Sequence, residues 1–404
     1  MGAMSRSHDV GSGGGQTIPA RSDWQPLVDL PPLVMSPQVM STTARVAAVD
    51  LGSSRIRVSL CDFAAGRRLG AMVGANPQLT EGVDVLTRLA AAREPEAAAR
   101  LAELAVKAIG EGLAEARVQA GGDTPRVERL AIVGNTAMLS LLSRRGSQDL
   151  LQPEHWGRPI DCRPVETGAW RKCWGLADVA ELVVVEPLGG FVGSDLLAAA
   201  LACGLTGGPP GSLLIDFGTN TEIALWDGET VLVTAAAGGP AFEVWGASGH
   251  RASTTVGLIA DLRRRGELDR LGRRRAGGER HPHPSCAQVD GFVRAKAAVA
   301  AGVEYVLVRS GMTGPGLVRT IVTGAFGHDL DVNDAREIGL VPAGGAVELR
   351  QDLALLGCEM MAAGTPVAVE GLREVRRRAR LINLAIAPEY EDLFVHNLKL
   401  QPSD

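Results

Sequence analysis

Short apolar runs alternate along the chain with longer segments in which apolar residues recur at helical spacing. Over residues 95–120, apolar positions recur every three or four residues among Ala, Glu and Leu, which predicts a long helix. A second helix is predicted over residues 194–203. The apolar runs, which we interpret as strands, cover residues 45–50, 127–133, 183–185 and 212–216. Strands that alternate with helices in this way predict an α/β protein.

Segments rich in Gly, Ser and Pro divide the chain. Residues 1–45 lack periodicity, and we expect them to form a disordered tail and linker. The run Gly-Gly-Pro-Pro-Gly at residues 207–211 is the clearest internal linker. We therefore expect a first lobe over residues 46–206 and a second over residues 212–400. Within the second lobe, residues 263–284 are dense in Arg, Gly, His and Pro, which predicts an exposed loop.

The chain contains an internal repeat. Residues 48–58 read AVDLGSSRIRV, and residues 214–224 read LIDFGTNTEIA. Each copy has an apolar strand that ends in Asp, then one residue, a Gly, a hydroxyl residue and a second strand of alternating pattern. Each copy therefore predicts a β-hairpin whose aspartate, Asp50 or Asp216, lies at the end of the first strand.

The residue types of the repeat suit phosphate binding. A tight glycine turn exposes backbone N–H groups that cradle phosphate oxygens, and neighbouring hydroxyls add donors. Asp50 and Asp216 could hold Mg²⁺ through water, because Mg²⁺ keeps several waters and binds one or two carboxylates. A single turn of this kind is a weak signal, but two copies about one lobe apart predict a triphosphate held from both sides.

A third segment, residues 320–327, is an apolar strand that ends in glycines. Gly324 and Gly327 would allow the backbone to approach an adenosine closely. Glu222, in the second hairpin, either orients a hydrolytic water or is a surface carboxylate on an alternating strand. With Asp50 and Asp216 it completes the candidate catalytic set. Phosphate contacts are predicted for Gly52, Ser53, Ser54, Gly218, Thr219 and Asn220.

Composition and charge narrow the classes of function. Hydrophobic residues make up 46% and charged residues 22% of the chain, which predicts a soluble protein with a sizeable core. The net charge of -5 and an aromatic content of 4% argue against a nucleic-acid partner. The apolar stretches are shorter than the ~18 residues that a membrane span needs, and the polar N-terminus does not resemble a signal peptide. A cytoplasmic location is therefore expected.

The six cysteines do not form a metal-binding pattern. They stand at positions 61, 162, 173, 203, 286 and 358, and none are two to four residues apart. Zinc and ferredoxin-type iron–sulfur sites need closer spacing. We therefore expect reduced thiols that are mostly buried, and no iron–sulfur cluster in this chain.

The three segments, in this order, resemble the phosphate-1, phosphate-2 and adenosine motifs of actin-like ATPases. The resemblance implies the duplicated ribonuclease-H-like fold of actin, Hsp70 and acetate kinase (ASKHA), with two lobes around a nucleotide cleft. Further strings narrow the resemblance to the reductive activators of corrinoid proteins. These strings are GNTAML at 134–139, GSD at 193–195, GPAFE at 239–243, AKAAVAAG at 295–302, GAFG at 324–327, IGL at 338–340 and INLA at 382–385, with Phe394.

This resemblance implies a function. In that family, ATP and Mg²⁺ drive a low-potential electron onto a corrinoid protein of a methyltransferase system, which restores inactive Co(II) to Co(I). A homodimer is the family expectation. By resemblance alone, Phe242 and Glu243 would contact the corrinoid protein, although a Phe among small residues is more typical of a core.

The sequence departs from the family at two places. Members usually carry an N-terminal ferredoxin-like domain whose cluster is held by four Cys, whereas residues 1–60 contain no Cys. Residues 27–32, LVDLPP, resemble the linker that follows that domain. We therefore expect a shortened member that receives its electron from a separate ferredoxin-type protein. Residues 342–357 also depart, because Glu348, Arg350 and Asp352 interrupt the small-residue pattern of a helix that connects the lobes.

Three alternatives stay open at this point. A small-molecule kinase of the same fold would need a general base near the γ-phosphate, for which Glu222 is the one candidate. A regulatory module would use nucleotide to set its conformation without turnover. An ATPase similar to the activators of 2-hydroxyacyl-CoA dehydratases would share a cluster at a dimer interface. That arrangement needs two Cys facing the two-fold axis, either Cys162 and Cys173 or Cys203 and Cys358.

Overall fold

The computed structural model describes residues 24–33, 45–122, 126–242, 252–275 and 284–402. Its first sheet has six strands in the order β1-β4-β3-β2-β5-β6. β2, β3 and β4 form an antiparallel meander, and β5 and β6 add to β2 in parallel. The strands are β1 Gln25–Pro26, β2 Arg45–Leu51, β3 Arg55–Asp62, β4 Arg67–Ala75, β5 Arg129–Gly134 and β6 Glu181–Val184.

The second sheet repeats this plan in the order β11-β10-β7-β8-β9-β12. β7, β8 and β9 form the antiparallel meander, and β10 and β11 add to β7 in parallel. The fold is therefore the duplicated α/β architecture that the internal repeat predicts. The strands are β7 Ser212–Phe217, β8 Asn220–Trp226, β9 Val231–Ala237, β10 Arg319–Gly324, β11 Ala346–Leu349 and β12 Ala379–Leu381.

Helices cover both faces of each sheet, which explains the nearly continuous apolar pattern of β2 and β7. The helices predicted over residues 95–120 and 194–203 are confirmed as α2 and α6. The α-helices are α1 Val85–Ala91, α2 Pro95–Gln119, α3 Thr136–Ser143, α4 Ser147–Leu150, α5 Gly168–Cys173, α6 Ser194–Ala202, α7 Ala252–Arg264, α8 Cys286–Arg309, α9 Val332–Glu337, α10 Leu353–Ala363, α11 Pro366–Arg378 and α12 Tyr390–His396.

Two helices, α6 and α10, lie between the sheets and pack against each other. α2 covers the outer face of the first sheet, and α8 covers that of the second. Residues of α10, such as Leu355 and Cys358, pack on the first sheet, although this helix follows the second sheet in sequence. In the same way, Leu196 and Ala199 of α6 pack on the second sheet. Each lobe therefore depends on a helix from the other half of the chain.

Residues 24–33, which precede β2, pack on the first lobe, so the expectation of a disordered tail and linker is wrong for these residues. β1 pairs with β4 in antiparallel fashion, and the Leu27 N–H donates to Ala71 O at 2.9 Å. The Trp24 ring occupies a groove between β4 and α2. A Cβ on Gly112 would lie 2.4 Å from that ring, and one on Gly74 would lie 2.7 Å from it. Glycine on both walls therefore makes room for the indole.

The structure revises two further expectations. Of the exposed loop predicted over residues 263–284, Arg263 and Arg264 end α7, and Leu268 is fully buried in the core of the second lobe. Residues 276–283 lie outside the described residues. The charges that interrupt residues 342–357 lie on β11 and the following loop, because α10 begins only after Asp352. Within the described ranges, no helix is long and apolar enough to cross a bilayer.

Candidate functional site

The two repeated turns face each other across the gap between the lobes. One joins β2 to β3, where the Gly52 N–H donates to Arg55 O at 3.0 Å, and the other joins β7 to β8. The hydroxyl oxygens of Ser54 and Thr219 lie 3.5 Å apart. Residues that are 165 positions apart in sequence thus meet turn to turn, as the duplication requires.

The second turn is held from behind by the start of the Gly-Pro-Ala-Phe segment. The Gly239 N–H donates to Thr219 O at 2.7 Å, and a Cβ on Gly238 would lie 2.3 Å from Gly218 O. Phe242 is fully buried and meets Phe217 edge to face, with ring centroids 5.5 Å apart. The interpretation of Phe242 as a core residue is therefore confirmed, whereas Glu243 lies outside the described residues.

Carboxylates gather beneath the two turns. Asp50 and Asp216 are the second-last residues of β2 and β7, and Glu222 lies beside Asp216 on β8. Two more acids come from the helices between the sheets, because Asp195 is in the first turn of α6 and Asp352 is the N-cap of α10. Both inter-lobe helices therefore begin at this site.

Burial and mutual repulsion make these acids hard to ionise together. Burial raises the pKa of Asp216 to about 7, and the charge of Asp50 adds to the rise. Burial also raises the pKa values of Asp195 and Glu222 well above the ordinary range, with neighbouring carboxylates adding to the effect. Burial also raises the pKa of Asp50, and the Arg57 guanidinium opposes this rise. The site thus holds more potential negative charge than its own cation balances.

Arg57 supplies that cation. Its Nη1 lies 3.1 Å from Asp50 Oδ2, and its Nε lies 2.9 Å from Asp352 Oδ1. Asp352 has a φ of 47°, a left-handed conformation that is uncommon for a residue other than glycine. A strained N-cap of α10 is therefore tied through one arginine to the aspartate at the end of β2.

Glu222 is 4% exposed, so its interpretation as a surface carboxylate is wrong. The side-chain amides of Asn220 and Asn135 both donate to its Oε1. The Asn220 amide also donates to Phe191 O at 2.8 Å. Asn220, a predicted phosphate contact, thus holds Glu222 in place through its amide group. Hydrogen bonds from two amides leave the carboxyl oriented toward the acid cluster.

The glycines after β10 permit two close backbone approaches. Gly324 has a φ of 71°, and a Cβ there would lie 2.1 Å from Phe217 O and 2.4 Å from Asp216 Oδ1. A Cβ on Gly327 would lie 2.3 Å from Arg350 O, just before α10. Gly324 therefore packs directly against the Asp216 carboxyl group. Its role toward an adenosine stays a prediction.

The sequence did not predict the roles of three charged residues of the acid cluster: Arg57, Asp195 and Asp352. Arg57 lies inside the first repeat, and Asp195 lies inside the string Gly193-Ser194-Asp195, so both had a local signal. Asp352 had no local signal, because its place at the site follows from the start of α10. The site is therefore built by strand ends from both halves of the chain and by the two helices between them.

Two family models match nearly all of this architecture. Residues 46–207 match the RACo middle region. Residues 211–271 and 285–404 match the C-terminal domain of RACo, the ASKHA domain. The chain belongs to the RACo family of reductive activators of corrinoid proteins.

Two relatives of this RACo family member have names that refer to corrinoids. The chain is 30% identical, over 55% of its length, to the [Co(II) methylated amine-specific corrinoid protein] reductase of Methanosarcina barkeri. It is 25% identical, over 73% of its length, to the corrinoid activation enzyme RamQ of Eubacterium limosum. It spans 42% and 60% of the lengths of these two relatives. A solved structure of a reductive activator for corrinoid,iron-sulfur protein superposes with a TM-score of 0.73 at 21% identity, over 91% of this chain and 67% of that one.

The cysteines of this RACo family member argue against a cluster shared at a dimer interface. Cys162 and Cys358 are fully buried. The Cys358 thiol donates to Ala131 O at 3.4 Å, between α10 and the first sheet. Burial raises the pKa of Cys203 to about 12. Each suggested pair, Cys162 with Cys173 or Cys203 with Cys358, therefore contains a thiol enclosed in a core. Among the described residues, no group of three or more His, Cys, Asp and Glu side chains is arranged to hold a metal ion.

Proposed function

We propose that this chain binds Mg-ATP between its two turns and hydrolyses it to promote the reduction of a Co(II) corrinoid protein to Co(I). The observation that carries the proposal is the meeting of the turns, with Ser54 and Thr219 3.5 Å apart above Asp50 and Asp216. The names of the relatives support a corrinoid protein as the partner. The family resemblance supports one that belongs to a methyltransferase system.

Two carboxylates, Asp50 and Asp216, would suit a hard divalent cation that keeps most of its own waters. Asp50 and Asp216 stand near the ends of β2 and β7, one in each sheet. Burial together with neighbouring acids disfavours their charge in the metal-free protein. Mg²⁺ takes oxygen ligands and keeps several waters, so these two residues would hold it through water. When bound, Mg²⁺ would neutralise charge on the phosphate oxygens. Arg57 would keep its contact with Asp352 and so hold the start of α10 near the cation.

The turns would hold the phosphates and Glu222 would orient the attacking water. Backbone N–H groups of Ser53 and Ser54 on one side and of Thr219 on the other would contact the phosphates. The Gly218 N–H, which donates to Thr221 Oγ1 at 3.4 Å, would instead fix the shape of the second turn. Glu222 is fixed by two amides, which suits a residue that positions a water. Its raised pKa means that a bound cation would help to keep it ionised.

Binding and hydrolysis of the nucleotide would change how the two lobes close, and α6 and α10 would carry this change away from the site. α6 and α10 begin at the site and run between the sheets, so a change of position at Asp195 or Asp352 moves a packed helix pair. The resemblance to the family supports a separate ferredoxin-type electron donor and a homodimer as further parts of the proposal.

The test is a reconstituted reduction without oxygen. The purified chain would be mixed with a Co(II) corrinoid protein, a reduced ferredoxin and Mg-ATP, and the cobalt absorption spectrum would be followed. We expect Co(II) to decline when ATP is present and to stay unchanged with a non-hydrolysable analogue. Phosphate transfer to a small metabolite would establish the kinase alternative, and tight ATP binding without turnover would establish a regulatory module. Either result overturns the proposal.

Two variants test the assigned roles in the same assay. Asp216→Asn should weaken Mg-ATP binding or turnover well beyond tenfold while the fold survives. Glu222→Gln should lower kcat by about 10²–10⁴-fold and change ATP affinity only a few-fold, because the residue acts on water and not on the nucleotide. Glu370→Gln, an exposed carboxylate on α11, is the matched control. Wild-type kinetics in Asp216→Asn would remove this residue from the site.

A further inference from the structure

All three carbonyls of the first turn are hydrogen-bonded on the side that faces the interior of the first lobe. Gly52 O accepts from Asn76 Nδ2 at 2.9 Å, and Ser54 O accepts from the Asn76 N–H at 2.9 Å. Ser53 O accepts from Arg88 Nη1 at 2.7 Å. Asn76, through its side chain and its backbone N–H, and the Arg88 side chain therefore hold all three carbonyls of the turn.

Fixed carbonyls determine where the N–H groups point. In a planar trans peptide the C=O of one residue and the N–H of the next point in opposite directions. The bonds to Gly52 O and Ser53 O therefore direct the N–H groups of Ser53 and Ser54 away from Asn76 and Arg88. The Ser54 hydroxyl lies on this other side, next to Thr219 of the second turn. Both N–H groups are thus aimed into the gap between the turns.

Arg88 is an unusual residue to use for this purpose. It stands on α1 and is 1% exposed. Its Nε donates to Gly82 O at 2.7 Å, and its Nη1 also lies 3.6 Å from Met138 Sδ. Burying a guanidinium is costly, and arginine stays charged under all ordinary conditions. Asn76 holds its carbonyls with neutral donors, whereas Arg88 places a cation directly behind this turn.

A cation at this position would act on the charge of a group bound on the opposite side of the turn. In a site of low dielectric constant, a fixed cation behind two aimed N–H groups strengthens the attraction for a polyphosphate. Asn76 is fully buried beside Arg88, and its Nδ2 lies 3.5 Å from the same Met138 Sδ, so the support is rigid. The turn is therefore preorganised for anions.

We propose that Arg88 is a positioning residue that aims the Ser53 and Ser54 N–H groups at the β- and γ-phosphates and so makes the first turn selective for polyphosphates. The proposal rests on the proposed function, because it assumes that nucleotide binds between the turns. Arg88 acts through the peptide that it holds and through its charge, without touching the nucleotide.

The test measures binding of ATP, ADP and AMP, each with Mg²⁺, to the full chain by calorimetry. Arg88→Met should weaken ATP and ADP binding by about tenfold or more, since a hydrogen bond from a charged group is lost. AMP affinity should change less than about threefold, because AMP lacks the phosphates concerned. Arg117→Met is the matched control: Arg117 also donates to a carbonyl, Trp174 O at 2.8 Å, in the same lobe but away from the turn.

Arg88→Lys keeps the charge and one donor and guards against a folding failure of Arg88→Met. It should give an intermediate loss of the ATP-to-AMP affinity ratio at an unchanged melting temperature. If both variants fold and neither changes the ATP-to-AMP affinity ratio, the proposed role of Arg88 is overturned. If Arg88→Met does not fold, an unchanged ratio in Arg88→Lys overturns it. Equal losses for all three nucleotides would show a merely structural role and also overturn it. A wild-type chain that binds no ATP would instead overturn the proposed function.

Discussion

At the scale of single residues, the ionisation of Asp216 makes the stability of the fold depend on pH. Asp216 has its pKa raised to about 7 by burial and by the nearby Asp50 charge, whereas an aspartate in an unfolded chain titrates near 3.9. A raised folded pKa means that the folded protein holds this proton more firmly than the unfolded chain does. The stability that comes from binding this proton on Asp216 is fully present below about pH 4. It is lost as the pH rises through about 7.

Asp216→Asn should therefore stabilise the metal-free protein more at pH 8 than at pH 5. The amide removes a charge that burial disfavours, and we expect a gain of about 1–3 kcal/mol at pH 8. Urea unfolding with a chelator present, at both pH values, measures it. Asp290→Asn, an exposed acid on α8, is the control and should show no such difference. An equal effect of Asp216→Asn at both pH values would contradict the assigned ionisation.

Some site residues were predictable from sequence and others were not. Asp50 and Asp216 were found because duplication repeats a chemical pattern that can be recognised without any knowledge of contacts. Asp352 and Arg88 act through contacts with residues far along the chain, with Arg57 and Ser53 respectively. An arginine on a short helix is normally exposed, so burial behind a turn could not be inferred from its neighbours.

At the scale of elements, the contact between α6 and α10 joins the two halves. A Cβ on Gly357 of α10 would lie 2.0 Å from Ala198 O of α6, so the helices approach as closely as glycine permits. The sequence predicted α6 but not α10. Residues 353–363 are apolar on almost every side and show no amphipathic period, which is the pattern of a helix buried all round.

Gly357→Ala should force these helices apart. We expect a loss of about 1–3 kcal/mol from overpacking, together with weaker Mg-ATP binding, because both helices begin at the acid cluster. Gly291→Ala on α8 is the matched control, since a Cβ there meets nothing within 4 Å. That change should stabilise the protein by about 0.5–1 kcal/mol through helix propensity. Unfolding curves and nucleotide titrations of both variants measure these effects. An unchanged free energy of unfolding in Gly357→Ala would contradict the close contact between α6 and α10.

At the scale of the whole molecule, one buried ion pair links the segment before β2 to the helix between the lobes. Glu359 of α10 is fully buried, and both its oxygens bind Arg68 of β4, with Nε–Oε1 at 2.6 Å and Nη2–Oε2 at 2.7 Å. Arg68 Nη1 also donates to Pro31 O at 2.6 Å. Because Asp352 starts the same helix, residues 24–33 connect through α10 to the acid cluster.

Arg68→Met should destabilise the protein by about 3–5 kcal/mol, because it leaves a buried carboxylate without its partner. It should also speed hydrogen exchange at Leu27, whose N–H bonds to β4, since Pro31 loses its anchor. The double variant Arg68→Met with Glu359→Leu should recover most of the stability but not the slow exchange. Arg100→Met is the matched control, as that arginine binds Glu81 through the same two nitrogens on the exposed surface and should matter little. Slow exchange at Leu27 in Arg68→Met would show that β1 holds this segment without help from α10.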